Sequence, residues 1–176
     1  MSVTHTDRKG RTWHLHEKAT AGKRTYFFSK DAGGQVVEAL PEDYEVYENP
    51  NAQVFLRKRA APVILPEELA LVEAALARHG AAWQYQSDVK KATITVHEAS
   101  DMGGLDKLYG EFRGRRMSAD EKMKSAHYTP MMRFTLADKE ARAFTVERYC
   151  FRGSIDGWMF LDGPGALAPL VRKYVK

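Results

Sequence analysis

Basic and aromatic side chains in the C-terminal third of this 176-residue chain offer its clearest chemistry. Residues 105–176 carry 14 Lys and Arg against 9 Asp and Glu, whereas residues 1–104 carry 13 against 14. Arginine binds phosphates and carboxylates through paired hydrogen bonds, and aromatic rings stack on nucleobases. The sequence therefore predicts a site that binds an anion or a nucleic acid through Arg113, Arg115, Arg116, Arg133, Arg148, Arg152 and Tyr149.

Two functions are compatible with these residues. In the first, the protein is a non-catalytic binding or adaptor protein whose basic C-terminal region contacts an acidic partner, a nucleic acid or another protein. In the second, it is an enzyme acting on a phosphorylated or acidic small molecule that Arg133, Arg148 and Arg152 clamp. Protons would then be moved by His97, His127 or Glu147. Arginines that are all paired internally would instead indicate a structural protein–protein module.

The arginine clamp depends on a hairpin in residues 130–153. Apolar side chains alternate with polar ones on both arms, so residues 131–136 and 144–150 are expected to pair about a turn at 138–140. Arg133, Arg148 and Arg152 would then converge. We also expect Glu147 to pair with Arg133 and cancel part of its charge.

Other reactive side chains predict neither catalysis nor a metal site. His14 and His16 share a strand face, but a metal needs a third ligand that the nearby sequence does not supply. Cys150 lies between two arginines, which favours a thiolate, yet no histidine is near in sequence to act as a base. The glycine pairs lack the phosphate-loop and dinucleotide patterns. We therefore expect no catalytic residue, no metal and no cofactor.

The first sixty residues predict a β-meander of short strands separated by turn residues, including a turn at 20–22 and a strand at 35–39. The best-patterned part is "LPEDYEVYENPNAQVFLRK", residues 40–58, which predicts a hairpin. Pro50 suits the first central position of its turn, and Asn51 tolerates the left-handed conformation that can follow. The pattern is explained by the hairpin, with a ligand site as the alternative.

Residues 61–176 predict helices mixed with antiparallel strands. A helix is indicated over 66–80, strands over 82–99, 130–153 and 156–165, and a final helix over 166–176. Within 100–129, Ser118 and Glu121 form a capping-box pattern for a short helix. The sequence thus predicts an α+β protein: an N-terminal antiparallel β-meander, residues 1–60, followed by an α+β domain, residues 61–176.

Composition indicates a cytoplasmic protein without a membrane partner. A single cysteine, Cys150, cannot form an internal disulfide, which fits a reducing compartment. The N-terminus is polar and lacks the apolar segment of a signal peptide. No run approaches the roughly 20 apolar residues of a membrane-spanning helix.

Three segments, "YFFSK", "LPEDYEVYENPNAQVFLRK" and "ERYCFRGSIDGW", carry a resemblance. Together they resemble an uncharacterised bacterial protein family that shares the YEVYENPNAQVFLRK-type segment. The resemblance extends over most of the chain and implies a bacterial protein. It brings no activity, ligand or catalytic residue.

Overall fold

The computed structural model describes residues 2–20 and 22–175, so Ala21 of the turn predicted at 20–22 and the last residue of the predicted C-terminal helix lie outside the described residues. Its contacts divide the chain into two compact units, Met1–Ala61 and Pro62–Lys176. The described helices and antiparallel strands confirm the α+β class. Within these residues, no helix is long and apolar enough to cross a membrane.

Short antiparallel strands build the first unit. The sheet β1 (Thr4–Thr6), β2 (Thr12–Thr20) and β3 (Lys23–Ser29) follows chain order, and β4 (Tyr44–Glu48) pairs with β5 (Val54–Lys58). Leu15, Phe28 and Val54 form its buried core. The strand predicted at 35–39 is wrong: after the turn at Gly34, this segment makes one isolated bridge, between His16 and Val36.

The turn of the β4–β5 hairpin explains the asparagine-proline-asparagine pattern. Asn49 Oδ1 accepts hydrogen bonds from the backbone nitrogens of Asn51, at 2.9 Å, and Gln53, at 3.0 Å. The backbone nitrogen of Ala52 donates to the Asn49 carbonyl at 2.9 Å. The left-handed residue is Ala52, with φ 60°, and not Asn51 as the sequence suggested. Asn49 therefore sets the turn from its first position.

Asp7 is a buried carboxylate that holds the turn between β1 and β2. Its Oδ1 accepts from the backbone nitrogens of Lys9 and Arg11, both at 2.9 Å. Its Oδ2 accepts from Arg11 Nε at 2.7 Å and from Trp13 Nε1 at 2.8 Å. Burial alone would raise the pKa of Asp7, but the hydrogen bonds from Trp13 and Arg11 outweigh it and lower the pKa to about 2.

A five-stranded antiparallel sheet is the centre of the second unit. Its strands lie in the order β10-β9-β8-β7-β6. The elements of this unit, in chain order, are α1 (Pro66–His79), β6 (Tyr85–Lys90), β7 (Thr93–Ala99), α2 (Gly103–Arg113), α3 (Ala119–Ser125), β8 (Tyr128–Asp138), β9 (Ala143–Cys150), β10 (Gly157–Ala166) and α4 (Leu167–Tyr174).

One face of this sheet forms the main core. Alternation along the strands places Ile94, Phe134 and Val146 on that face, where they are fully buried. Helices α1 and α4 cover it, with Val72 and Val171 among the buried residues. Each large apolar side chain buried in this way contributes about 1.5–3 kcal/mol to the free energy of unfolding. The side chains of alternate residues consequently point to the opposite face.

Helices α2 and α3 form a second, smaller core at one end of the sheet. Met102, Met117 and Tyr128 are buried there, and Ala99, which is opposite Tyr128 in the β7–β8 register, packs against them. The Tyr128 hydroxyl donates to the Trp83 carbonyl at 2.6 Å. This cluster fixes α2 and α3 at the end of the sheet where β7 stops and β8 starts.

Candidate nucleic-acid interface

The face of the sheet opposite the main core carries a row of polar and aromatic side chains. In the strand registers Thr95 is opposite Arg133, Arg133 is opposite Glu147, and Glu147 is opposite Phe160. The row therefore crosses four neighbouring strands, β7, β8, β9 and β10. Strand alternation assigns all four side chains to the same face.

Arg133 is fixed on this face by a carboxylate and an indole. Its Nε donates to Glu147 Oε2 at 2.5 Å, and its Nη2 donates to Glu147 Oε1 at 3.0 Å. The guanidinium lies 4.4 Å from the centre of the Trp158 ring. The side chains of Arg133 and Glu147 are 32% and 21% exposed. The predicted Arg133–Glu147 pair is thus confirmed, and it is bidentate.

Aromatic rings extend the face beside Arg133. Trp158 is opposite Tyr149 in the β9–β10 register, and their rings meet edge to face at 5.3 Å. Tyr149 also contacts Phe151, with ring centres 5.0 Å apart. Phe151 and Phe160 are 67% and 59% exposed. We call these four aromatic residues and Arg133 the aromatic face.

The predicted convergence of arginines is wrong. The two segments do pair, but Arg133 is opposite Glu147, so its neighbour Arg148 points to the other face, opposite Met132 and Met159. Arg152 follows β9, where its backbone nitrogen donates to Asp156 and its guanidinium lies 3.7 Å from Met159 Sδ. No clamp of three arginines forms, because adjacent residues of a strand face opposite ways.

The proposed proton-transfer groups are also dispersed. His97 lies in β7, opposite Gln86 of β6, and His127 is exposed just before β8. Glu147 is engaged by Arg133. Within the described ranges 2–20 and 22–175, no group of three or more His, Cys, Asp or Glu residues could hold a metal.

Arg115 ties the two short helices together. Its guanidinium donates to Glu121 at 2.8 and 2.9 Å, and the Tyr109 hydroxyl donates to the same carboxylate. These hydrogen bonds, first those from Arg115, hold the pKa of Glu121 far below its usual range, and Glu121 in turn raises the pKa of Arg115. Glu121 also completes the predicted capping box with Ser118. Arg115 is therefore a structural residue as well as a cation.

This region has further cations on exposed residues, Lys107, Arg113 and Arg116. Arg113 ends α2, directly after Phe112, which is 81% exposed. Arg116 and Lys107 line a cavity of about 400 Å³ beside α2. Asp106 lines it too, with a pKa lowered first by the Met117 backbone hydrogen bond and then by Lys122. We call Lys107, Phe112, Arg113 and Arg116 the basic end.

The basic end and the aromatic face belong to the same end of the sheet. Helices α2 and α3 are anchored where Ala99 pairs with Tyr128. Strands β8 and β9 are antiparallel, with Met132 opposite Arg148. Tyr149, the next residue of β9, therefore lies toward the end of β8 that begins at Tyr128. A ligand that contacts Tyr149 and Trp158 is thus directed toward Arg113, at the end of α2, and Arg116, in the segment between α2 and α3.

Trp158 and Phe160 were not among the residues that the sequence singled out. The signal that could have found them is the spacing itself, because a Trp and a Phe two apart in a strand share one face.

Comparison with family models, with curated proteins and with solved structures gives no match for this chain. The resemblance to a bacterial family stays a prediction.

Proposed function

We propose that the protein is a non-catalytic binding protein for single-stranded nucleic acid, and that the aromatic face is its binding surface. The observation that carries the proposal is the exposure of Phe151 and Phe160 beside the Tyr149–Trp158 pair and Arg133. Exposed rings on an antiparallel sheet are stacking platforms for bases, worth about 1–3 kcal/mol per base. A single strand offers unstacked bases to such rings, whereas a duplex does not.

The charge around the aromatic face supports a phosphate backbone as the polar part of the ligand. Arg113, Arg116 and Lys107 carry positive charge at the same end of the sheet, whereas the Arg152 guanidinium lies beside Met159, on the other face. Cations that track a strand while rings hold its bases are the usual combination in sequence-tolerant binding. An enzyme that clamps a small anion receives no such support, because Arg133 and Arg148 lie on opposite faces.

The location of the protein belongs to the same proposal. We place it in a bacterial cytoplasm, on the resemblance of residues 40–58 to a bacterial family and on its single cysteine, Cys150. A cytoplasmic site gives the binding surface access to single-stranded RNA and DNA.

Fluorescence anisotropy of labelled oligouridine and oligothymidine tests the proposal at about 50 and 200 mM salt, a range over which phosphate contacts make the affinity fall. We expect binding that weakens with salt. Phe160→Ala should weaken it by roughly 1–3 kcal/mol. Arg113→Glu/Arg116→Glu should weaken it further and flatten the salt dependence. Arg115 is left intact, because replacing it would disturb α2 and α3 themselves.

Phe55→Ala is the matched control, since Phe55 is 45% exposed on a strand of the first unit and lies outside the aromatic face. It should leave the affinity unchanged. No binding at the lower salt, or equal losses in Phe55→Ala and Phe160→Ala, would reject the proposal. Binding of an acidic protein instead of an oligonucleotide would reassign the same surface to the other predicted class of partner.

A further inference from the structure

A groove with a volume of about 440 Å³ lies between the C-terminal half of α1 and the residues from Ala168 to Val175, which include most of α4. Small-molecule sites occupy roughly 300–1,000 Å³, so the groove is of ligand size. It exists because two of its lining positions, Ala75 on α1 and Ala168 on α4, carry only methyl groups. The helices pack on the same sheet but do not fill the space between them.

The groove combines an apolar floor with a cationic rim. Leu71 and Val175 are half-buried and supply aliphatic surface, and the almost fully buried Val171 lies beneath it. Arg78 and Arg172 supply guanidinium groups, both on exposed residues. Among the described residues that line the groove, none is acidic. The site therefore matches a molecule with an anionic head and an aliphatic body.

Its length favours a small molecule over a protein segment. From Leu71 to His79 the α1 side of the groove extends about 12 Å at the rise of an α-helix. A stable protein interface buries about 800 Å² on each partner, which a groove of this length does not offer. We infer that the α1–α4 groove is a binding site for an aliphatic carboxylate or phosphate monoester, with the head held by Arg78 and Arg172 and the tail on Leu71 and Val175.

Isothermal titration of the full chain with sodium octanoate, below its micelle-forming concentration, tests the inference. Acetate supplies the head without the tail, and 1-octanol supplies the tail without the charge. We expect saturable one-to-one binding of octanoate and much weaker binding of the other two. Octyl phosphate distinguishes the source: tighter binding than octanoate indicates a phosphorylated lipid, and weaker binding indicates a fatty acid.

Two variants locate the ligand. Arg172→Gln should lower octanoate affinity by about tenfold or more, the usual loss for a hydrogen bond to a charged group. Ala168→Leu fills the groove from an exposed position and should abolish binding while the circular dichroism spectrum stays unchanged. Lys173→Gln is the matched control, because the neighbouring Lys173 donates to Asp162 at 2.7 Å and does not line the groove.

The inference is overturned if octanoate shows no saturable binding, or if acetate binds as well as octanoate. It is equally overturned if both groove variants bind like the wild type. Because the groove lies on the helix-covered side of the sheet, these results are separate from oligonucleotide binding at the aromatic face. Phe160→Ala should leave octanoate affinity unchanged.

Discussion

Replacing Glu147 with Gln should strengthen the binding of single-stranded nucleic acid. Glu147 places a negative charge in the row that Arg133 and Phe160 share, and it neutralises Arg133 through both carboxylate oxygens. Gln has the same shape and keeps one oxygen that can accept from Arg133. The substitution therefore removes the charge while holding the guanidinium near Trp158.

The size of the effect follows from elementary electrostatics. A phosphate about 6 Å from the Glu147 carboxylate is repelled by about 0.7 kcal/mol at the dielectric constant of water, which corresponds to roughly a threefold change in affinity. If Arg133 then contacts a phosphate, the slope of log K against log salt becomes more negative by about 0.7 for a single strand. When the salt concentration rises from about 50 to 200 mM, the affinity of the variant should therefore fall by roughly 2.5-fold more than that of the wild type.

Anisotropy titrations of wild type and Glu147→Gln at several salt concentrations measure both quantities. Glu45→Gln is the control, since Arg57 Nε donates to Glu45 at 2.7 Å and the Arg57 guanidinium lies 4.6 Å from the Tyr47 ring. That cross-strand pair has the same chemistry but belongs to the first unit, so its loss should leave affinity and slope unchanged. Weaker binding by Glu147→Gln, or an unchanged slope, would refute the assignment of a phosphate to this row.

Three further predictions concern stability, each measured by urea denaturation of the full chain. Because the pKa of Asp7 is lowered from 3.8 to about 2, its ionisation contributes about 2 kcal/mol above roughly pH 5, and this contribution is lost as the pH falls toward 2. Asp7→Asn should therefore have a lower free energy of unfolding than the wild type at neutral pH, and this difference should shrink as the pH falls. A difference that does not change with pH would contradict the lowered pKa of Asp7. Gly163→Ala should cost about 1–3 kcal/mol or more, because Gly163 has φ 107° and a Cβ there would lie 2.5 Å from the Phe144 carbonyl oxygen; wild-type stability would contradict this. Ser118→Ala should cost about 1 kcal/mol by removing the cap of α3, whereas Ser118→Asp should retain most of it.

The sequence was sufficient for elements whose signals are local. The hairpin at 40–58, the capping box at Ser118 and the α1 helix all appear where pattern and turn chemistry place them. The strand expected at 35–39 did not form, because a strand needs a partner along its length. The backbone hydrogen bonds of this segment to residues 3–17 are confined to Gln35 and Val37, on either side of the single bridge at Val36. β-propensity describes a suitable surface and does not supply the partner.

The candidate site depended on register, which residue types alone do not set. The β8–β9 hairpin was expected, and Glu147 opposite Arg133 was anticipated. That pairing already requires Arg148 to face the other way, so convergence of both arginines was excluded by the pairing itself. Trp158 joined the site only through the β9–β10 pairing, in which it lies opposite Tyr149. Such a pairing is tertiary information.

Crosslinking of the full chain to an oligonucleotide that contains 4-thiouridine shows which residues contact a bound single strand. Mass spectrometry then identifies the attached residues. We expect crosslinks at the rings of the aromatic face, above all at the exposed Phe151 and Phe160 and also at the half-buried Tyr149 and Trp158, and their loss at high salt. Crosslinks confined to residues 2–60, or none under conditions where the oligonucleotide is bound, would contradict binding of single-stranded nucleic acid at the aromatic face.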